Sequence, residues 1–155
     1  MKTINKFFLS ICIISIFILQ PCAVMANSIT PIQIEKEYLD DGSYFETVIE
    51  TNDNLRSTIK NASKTVTYKS ASGQSLWYAK VTANFYFDGK TSSCTSSSAS
   101  GGSYVSGWEI LSKSSSRTGN VASATVVAGC YLNGAFVDSV TEKVLLSCDK
   151  NGNLS

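Results

Sequence analysis

Apolar and polar residues alternate without a break through residues 76–88, LWYAKVTANFYFD. One side of an extended chain carries Trp77, Ala79, Val81, Ala83, Phe85 and Phe87, and the other side carries Tyr78, Lys80, Thr82, Asn84, Tyr86 and Asp88. A period of two that is sustained over 13 residues predicts a long β-strand with one buried face and one polar face. The rest of the chain is expected to supply the strands that cover the buried face.

Two dipeptides mark hairpin turns on either side of this strand. An Asp-Gly pair at positions 41–42 lies inside a predicted hairpin over residues 29–50, and Asn-Gly at positions 133–134 joins predicted strands at residues 120–132 and 135–148. Both dipeptides are typical of tight hairpin turns, because they tolerate the positive φ that these turns need. In the second hairpin one arm carries small inner residues and the other large ones, which favours a close-packed interior.

Shorter segments predict strands at residues 64–69, 90–96 and 104–113. Residues 51–63 show no clear period and are expected to form a linking loop, and the small polar residues 95–103 (TSSSASGGS) a flexible loop. The total is seven or eight strands with turns about every ten residues, which is typical of a β-sandwich or barrel. We therefore predict an all-β, immunoglobulin-like antiparallel β-sandwich, since two packed sheets leave fewer open edges than a hairpin alone.

The N-terminus has the pattern of an export signal. Two lysines precede a 13-residue apolar run at residues 7–19, and Val24-Met25-Ala26 supplies a cleavage site. The run is shorter than the roughly 20 residues that a membrane-spanning helix needs. Residues 1–26 are therefore predicted to be a signal peptide that is cleaved after Ala26, which makes the protein secreted and extracellular. Lipidation of Cys22 is the alternative, and only that alternative would anchor the protein to a membrane.

Cleavage leaves residues 27–155, which are expected to fold as a single β-sandwich domain. Its predicted parts are an N-terminal hairpin with the linking loop (27–63), the main sandwich (64–148) and a polar tail (149–155). This length is sufficient to bury roughly two-thirds of the surface that the unfolded chain exposes.

Charge is unevenly distributed along the mature chain. Residues 27–53 hold seven acidic residues and one lysine, whereas residues 54–90 hold six basic residues and one aspartate. Weak surface pairing between the two segments is one interpretation, and an acidic arm that binds a basic partner is the other. Nucleic-acid binding is not expected, because it requires a strong net positive field.

Three cysteines remain after cleavage, Cys94, Cys130 and Cys148. An odd number in an exported protein implies one disulfide and one thiol that is free or bonded to another molecule. Cys130 falls on the inner face of its predicted strand, where a buried thiol is inert, whereas Cys94 and Cys148 fall at strand ends. We therefore predict a Cys94–Cys148 disulfide. Cys130–Cys148 pairing is disfavoured, because these residues lie at unequal distances from the turn at 133–134.

The sequence contains no histidine, which excludes a Ser-His-Asp or Cys-His relay and any histidine metal site. Asp40 and Asp41 occupy a turn, where aspartate is favoured for its backbone hydrogen bonds. Residues 149–153 (DKNGN) begin like a calcium loop, but their glycine comes too early and no closing glutamate follows. We therefore predict no catalytic, cofactor-binding or metal-binding residues, and the protein is expected not to be an enzyme.

The polar face of the long strand carries Tyr78 and Tyr86, and we expect Tyr104 and Tyr131 to lie nearby. Exposed aromatic rings on a sheet can stack on sugars or accept a peptide, so these four tyrosines form the candidate ligand surface. Ordinary cross-strand packing of tyrosines is the alternative.

Several short motifs follow one another along the chain: an aromatic strand followed by Gly and Cys, a Gly-Trp pair, a Gly-Asn turn, and a final Cys with a polar tail. Their residues are Trp77, Phe85, Phe87, Gly89, Cys94, Gly107, Trp108, Gly119, Asn120 and Cys148. This pattern resembles a family of small secreted proteins of unknown function from Gram-positive anaerobic bacteria. Arg117-Thr118 stands where the family pattern has Ser. The resemblance covers most of the mature chain and implies a fold and a compartment, but no activity.

These observations predict a secreted, non-catalytic binding or interaction module at the cell envelope or outside the cell. Its expected partner is a cell-wall glycan or another surface protein. A toxin-like or antimicrobial effector is one alternative, although the balanced charge and the absence of a basic amphipathic helix count against it. An inert structural envelope protein is the other alternative.

Overall fold

The computed structural model of the protein describes residues 29–52 and 58–155. These residues form eight β-strands and no helix: β1 Ile29–Tyr38, β2 Tyr44–Asn52, β3 Ile59–Lys69, β4 Ser75–Phe87, β5 Ser92–Ser103, β6 Trp108–Thr118, β7 Val121–Leu132 and β8 Ala135–Ser147. The predicted signal peptide, its cleavage site after Ala26 and Cys22 lie outside the described residues.

The strands form two antiparallel sheets in which each strand pairs with its neighbours along the chain. One sheet contains β1 to β5 in sequence order, and the other contains β6, β7 and β8. The prediction of an all-β sandwich with seven to eight strands is confirmed. The resemblance to immunoglobulin domains is one of architecture, because the strands follow a simple meander rather than Greek-key connections.

The core lies between β2, β3, β4 and β5 of the larger sheet and the three strands of the smaller sheet. The inner face of β4 is fully buried and contains the predicted alternating set Trp77, Ala79, Val81, Ala83 and Phe85. Opposite it, β7 and β8 bury Ala122, Ala124, Val126, Ala128, Val144 and Leu146. The ring of Trp77 packs against the ring of Trp108 on the smaller sheet, with centroids 5.9 Å apart, and the period of two fixes which residues face inward.

Residues 95–103 are part of strand β5, and the prediction of a flexible loop there is wrong. Strand β5 pairs with β4 from Trp77 opposite Ser103 to Phe87 opposite Ser92. A Cβ atom added to Gly101 would lie 2.9 Å from Cγ1 of Val126 on the facing sheet. Glycine at position 101 is thus required by the close approach of the two sheets, and pairing with β4 overrides the low strand propensity of the segment.

Strand β2 ends at Asn52 and β3 begins at Ile59, so the prediction of a loop over residues 51–63 is wrong for residues 51–52 and 59–63. Ala62 is buried opposite Ala83, while Lys60 and Lys64 flank it on the same face of the strand. These lysines interrupt the apolar pattern in the sequence. The strand forms because it pairs with both β2 and β4.

One side of the sandwich is closed by contacts between β5 and the β6–β7 hairpin. The backbone N–H of Cys94 donates to the carbonyl oxygen of Gly119 at 2.7 Å. Nη1 of Arg117 donates to the carbonyl oxygens of Cys94 and Thr95 at 2.9 and 2.5 Å. The outer strands on the other side, β1 and β8, do not pair with each other in the described part of the chain.

Substitution of Gly101 by alanine is expected to lower the free energy of unfolding by about 1–3 kcal/mol, because the added methyl group would overlap Val126. Urea unfolding followed by fluorescence measures the change. Ser93→Ala, on the exposed face of the same strand, is the matched control and should change stability by no more than about 0.5 kcal/mol. Equal stability of the two variants would contradict the close approach of the sheets at Gly101.

Candidate functional site

Four tyrosines lie in a row across the outer face of the five-stranded sheet, at the end where β4 begins. We call Tyr38, Tyr44, Tyr78 and Tyr104 the tyrosine strip. Tyr38 ends β1 and pairs directly with Tyr44, the first residue of β2, across the 39–43 turn. Their ring centroids are 5.0 Å apart and the rings are tilted by 36°. The hairpin thus places two aromatic rings side by side at the edge of the sheet.

The second half of the strip depends on a glycine beside Tyr78. Gly102 of β5 pairs with Tyr78, and a Cβ atom on Gly102 would lie 2.8 Å from Cε1 of the tyrosine. The ring therefore lies over the glycine backbone, as only glycine permits. Tyr104 follows β5 and contacts Tyr78 with a centroid distance of 5.6 Å. Because Tyr104 is 58% exposed, its side chain is accessible to a ligand.

Charged groups lie between the two tyrosine pairs. Lys69, the last residue of β3, pairs with Tyr44 and places its Nζ 2.6 Å from Oε1 of Glu46. Nζ of Lys36 approaches the other oxygen of Glu46 at 3.7 Å and lies 5.2 Å from the centroid of the Tyr44 ring. The hydrogen bond to Glu46 raises the pKa of Lys69, and the hydroxyls of Tyr44 and Tyr104 contribute to that rise. Lys69 therefore remains cationic and connects the two halves of the strip.

The strip combines flat apolar ring faces with fixed hydrogen-bonding groups. Its members come from β1, β2, β4 and the end of β5, so it spans about 19 Å at the usual spacing between strands. Tyr38 is 65% exposed, which leaves the outer end of the row open to solvent. Such an arrangement suits a ligand that is both polar and flat-sided, since ring stacking and hydrogen bonding act together on it.

The structure brings together only two of the four tyrosines in the predicted ligand surface. Tyr78 and Tyr104 are in contact. Tyr86 shares the outer face of β4 but lies eight residues from Tyr78, about 27 Å along an extended strand. Tyr131 lies on the smaller sheet, where its ring contacts Phe136 at 5.6 Å. Tyr131 also lines a depression of about 620 Å³ beside Glu109 and Gly107, separate from the tyrosine strip.

Tyr38, Tyr44, Lys69 and Glu46 were not identified as site residues from the sequence. A signal for the first two was present, because a hairpin with its turn at 39–43 makes Tyr38 and Tyr44 direct neighbours. The position of Lys69 between the two tyrosine pairs depends on the order of β2, β3 and β4 in the sheet. That order could not be derived from the pattern of a single strand.

The carboxylates at the turns have structural roles. Oδ1 of Asp41 accepts hydrogen bonds from the backbone N–H and the hydroxyl of Ser43, at 3.0 and 2.5 Å. Oδ1 of Asp149 accepts from the backbone N–H groups of Asn151 and Asn153, at 2.8 and 2.9 Å. Hydrogen bonds from Ser43 and Asn153 lower the pKa of Asp41 and Asp149, respectively. Each carboxylate therefore stabilises its own turn.

All three described cysteines are free thiols, so the predicted Cys94–Cys148 disulfide is not present in this structure. The Sγ of Cys94 donates to the carbonyl oxygen of Ser96 at 3.2 Å, and that of Cys148 to the carbonyl oxygen of Asp149 at 3.5 Å. Burial raises the pKa of both thiols, which makes them poor nucleophiles. Cys130 is only partly buried, contrary to the sequence prediction, because it lies near the end of β7.

The main chains of Cys94 and Cys148 nevertheless meet the same turn. The N–H of Cys94 donates to the carbonyl of Gly119, and the N–H of Cys148 donates to the carbonyl of Asn120 at 3.1 Å. The hydroxyl of Ser92 also donates to the carbonyl of Cys148 at 2.5 Å. Cys94 on the larger sheet and Cys148 after the last strand of the smaller one are therefore close neighbours in the same core cluster.

A second charged region lies on the open side of the sandwich. Glu142 lies on the inner face of β8, two residues before the buried Val144, and is itself partly buried. Burial raises its pKa, and the carboxylate of Glu37 on β1 raises it further. Two carboxylates therefore approach each other where β1 and β8 border the sandwich.

Comparisons with protein-family models, with curated proteins and with solved structures find no match for this chain. Among the residues that the structure describes, there is no helix that is long and apolar enough to cross a bilayer. Residues 29–52 and 58–155 also contain no group of three or more acidic or cysteine side chains arranged to hold a metal ion.

Replacement of Glu142 by glutamine is expected to raise the melting temperature at neutral pH. The raised pKa means that the folded protein loses stability as the pH rises through that pKa, because the ionised form is disfavoured in the fold. The gain from Glu142→Gln should therefore vanish below the ordinary glutamate pKa of 4.5, where the side chain is protonated in both states. Thermal unfolding at several pH values tests this expectation, and a gain that persists at low pH would contradict it.

Proposed function

We propose that this protein is a secreted, non-catalytic module that binds polysaccharide chains through its tyrosine strip. The observation that carries the proposal is the row of four tyrosine rings across one sheet, with Lys69 and Glu46 fixed between them. Pyranose rings present flat C–H faces that stack on aromatic rings, while their hydroxyls take hydrogen bonds from charged groups. A cell-wall glycan is the ligand class that fits both properties.

The extended form of the strip favours a chain over a single sugar. The two tyrosine pairs are separated by Lys69, so one sugar ring cannot contact both pairs at once. Binding to both pairs by linked sugars adds their contributions, since the second contact becomes intramolecular. Affinity should therefore increase with the length of the oligosaccharide.

Export is part of the proposal. A signal peptide that is cleaved after Ala26 would deliver the mature domain to the cell envelope, where glycan is abundant. The resemblance to small secreted proteins of Gram-positive anaerobic bacteria is consistent with that compartment. A toxin-like or antimicrobial effector receives no support from a particular observation, because the exposed strip lacks a basic amphipathic character.

Alanine substitution of Tyr38 or Tyr104 is expected to weaken binding to insoluble cell-wall polysaccharide about tenfold, equal to about 1.4 kcal/mol. Both side chains are more than half exposed, so their loss should leave the fold intact. Pull-down isotherms with purified polysaccharide measure the effect. Tyr86→Ala is the matched control, because Tyr86 is on the same face of the sheet at its opposite end. Retention by both strip variants that equals that of the control would refute the proposed surface.

Secretion into an oxidising environment is expected to join Cys94 and Cys148, which meet the same turn in the fold. The bond would close a loop of about 50 residues and stabilise the domain by about 4 kcal/mol in the chain-entropy model. Mass spectrometry of a non-reduced digest should recover the two peptides as one species and alkylated Cys130 as a separate one. Complete alkylation of all three cysteines in the unfolded, unreduced protein would exclude this bond.

A further inference from the structure

The free edge of β8 carries the beginning of another strand. The C-terminal residues turn back so that Ser155 and Ser147 exchange backbone hydrogen bonds at 2.9 and 3.1 Å, and Leu154 forms a bridge with Cys148. Before Ser147, none of the described residues pairs with this edge. Because hydrogen-bonding direction alternates along a strand, the N–H and C=O groups at positions 139, 141, 143 and 145 point away from β7. They are available to an added strand.

The two sheets differ in width on this side of the sandwich. β8 packs beneath β3 and β4, and Ile49 and Thr51 on the inner face of β2 are also buried, so that β1 is the strand of the larger sheet that extends beyond the smaller one. A strand added next to β8 would continue the line of the short C-terminal pairing. It would also lie on the side of β1, whose described side chains at residues 33–38 are exposed.

Side chains that border this position are mainly acidic. The pairing register directs Glu35 and Glu37 of β1 toward the inner side, and Asp138 and Glu142 have the corresponding orientation on β8. Lys60 and Lys64 of β3 face the same interior, and Nζ of Lys60 donates to the carbonyl oxygen of Gly152, so the four carboxylates outnumber the ammonium groups. Like charges at this distance disfavour each other, as the proximity of Glu37 to Glu142 indicates. A cationic ligand would relieve this repulsion.

We propose that the free edge of β8 binds an extended basic segment of another protein as an added β-strand. The backbone of the ligand would pair with β8, and lysine or arginine side chains on alternate positions would approach the carboxylates of β1 and β8. A second copy of this chain is a poorer occupant, because pairing of two β8 edges would bring a second Asp138 and Glu142 to the same gap. This surface is distinct from the tyrosine strip, which lies on the outer face.

A fluorescently labelled octapeptide of alternating lysine and valine is the probe for this surface. Fluorescence anisotropy with the mature protein should show binding that weakens as sodium chloride is added, because the carboxylates are partly exposed. The Glu37→Gln, Glu142→Gln double variant should bind the probe about tenfold more weakly. Glu109→Gln, which removes one carboxylate on β6 away from this edge, is the control and should bind as the unmodified protein does.

A second probe separates strand addition from simple charge attraction. The same peptide with an N-methyl group on every residue keeps its charge but has no backbone N–H to donate to a strand edge, and we expect it not to bind. Equal binding of the methylated and unmethylated probes would overturn the proposal, as would equal affinity of the double variant and the Glu109→Gln control. A concentration-dependent dimer that excludes the probe would identify a second copy as the occupant and would also overturn it. Because Glu142→Gln is expected to stabilise the fold, loss of binding by the double variant is not a sign of unfolding.

Discussion

The close spacing of the two sheets limits which side chains can lie between them. Trp77 and Phe85 are fully buried on one sheet, while Ala122, Ala124 and Ala128 are fully buried on the other. The same spacing requires glycine at position 101, where the facing Val126 leaves no room for a side chain. Core and glycine positions are therefore consequences of one condition, the distance at which the two sheets meet.

The register that buries the core also arranges the outer surface. Trp77 faces inward and its neighbour Tyr78 faces outward, so a single pairing of β4 with β3 and β5 decides both. Tyr44 and Lys69 reach the same outer face through the pairing of β2 with β3. The tyrosine strip is thus assembled from distant parts of the sequence by the hydrogen bonds of the sheet, and Tyr104 joins it from the loop after β5, where its N–H donates to the carbonyl oxygen of Leu76. A surface built in this way is rigid before a ligand arrives, which reduces the entropic cost of binding.

The sequence allowed the fold class and the long strand to be predicted, because alternation and turn dipeptides are local signals. It did not reveal β5, since serine and glycine carry no hydrophobic period and the strand forms only through its partners. The start of β3 was hidden for a related reason, as Lys60 and Lys64 share the face that buries Ala62. Half of the tyrosine strip was also missed. Tyr38 and Tyr44 can be placed beside Tyr78 only if the order of the strands in the sheet is known. That order is set by contacts between residues far apart in the chain.

Pairing of the strands in the larger sheet has a consequence for misfolding. Successive residues of a strand face opposite sides, so a slip of one position in the β3–β4 pairing would turn Tyr78 toward the interior and Trp77 toward the solvent. A misregistered chain would lose its binding surface in the same step in which it exposed its largest core ring. If the tyrosine strip binds a ligand as proposed, ligand binding would distinguish correctly folded from misregistered protein, since only a correctly aligned sheet displays all four rings.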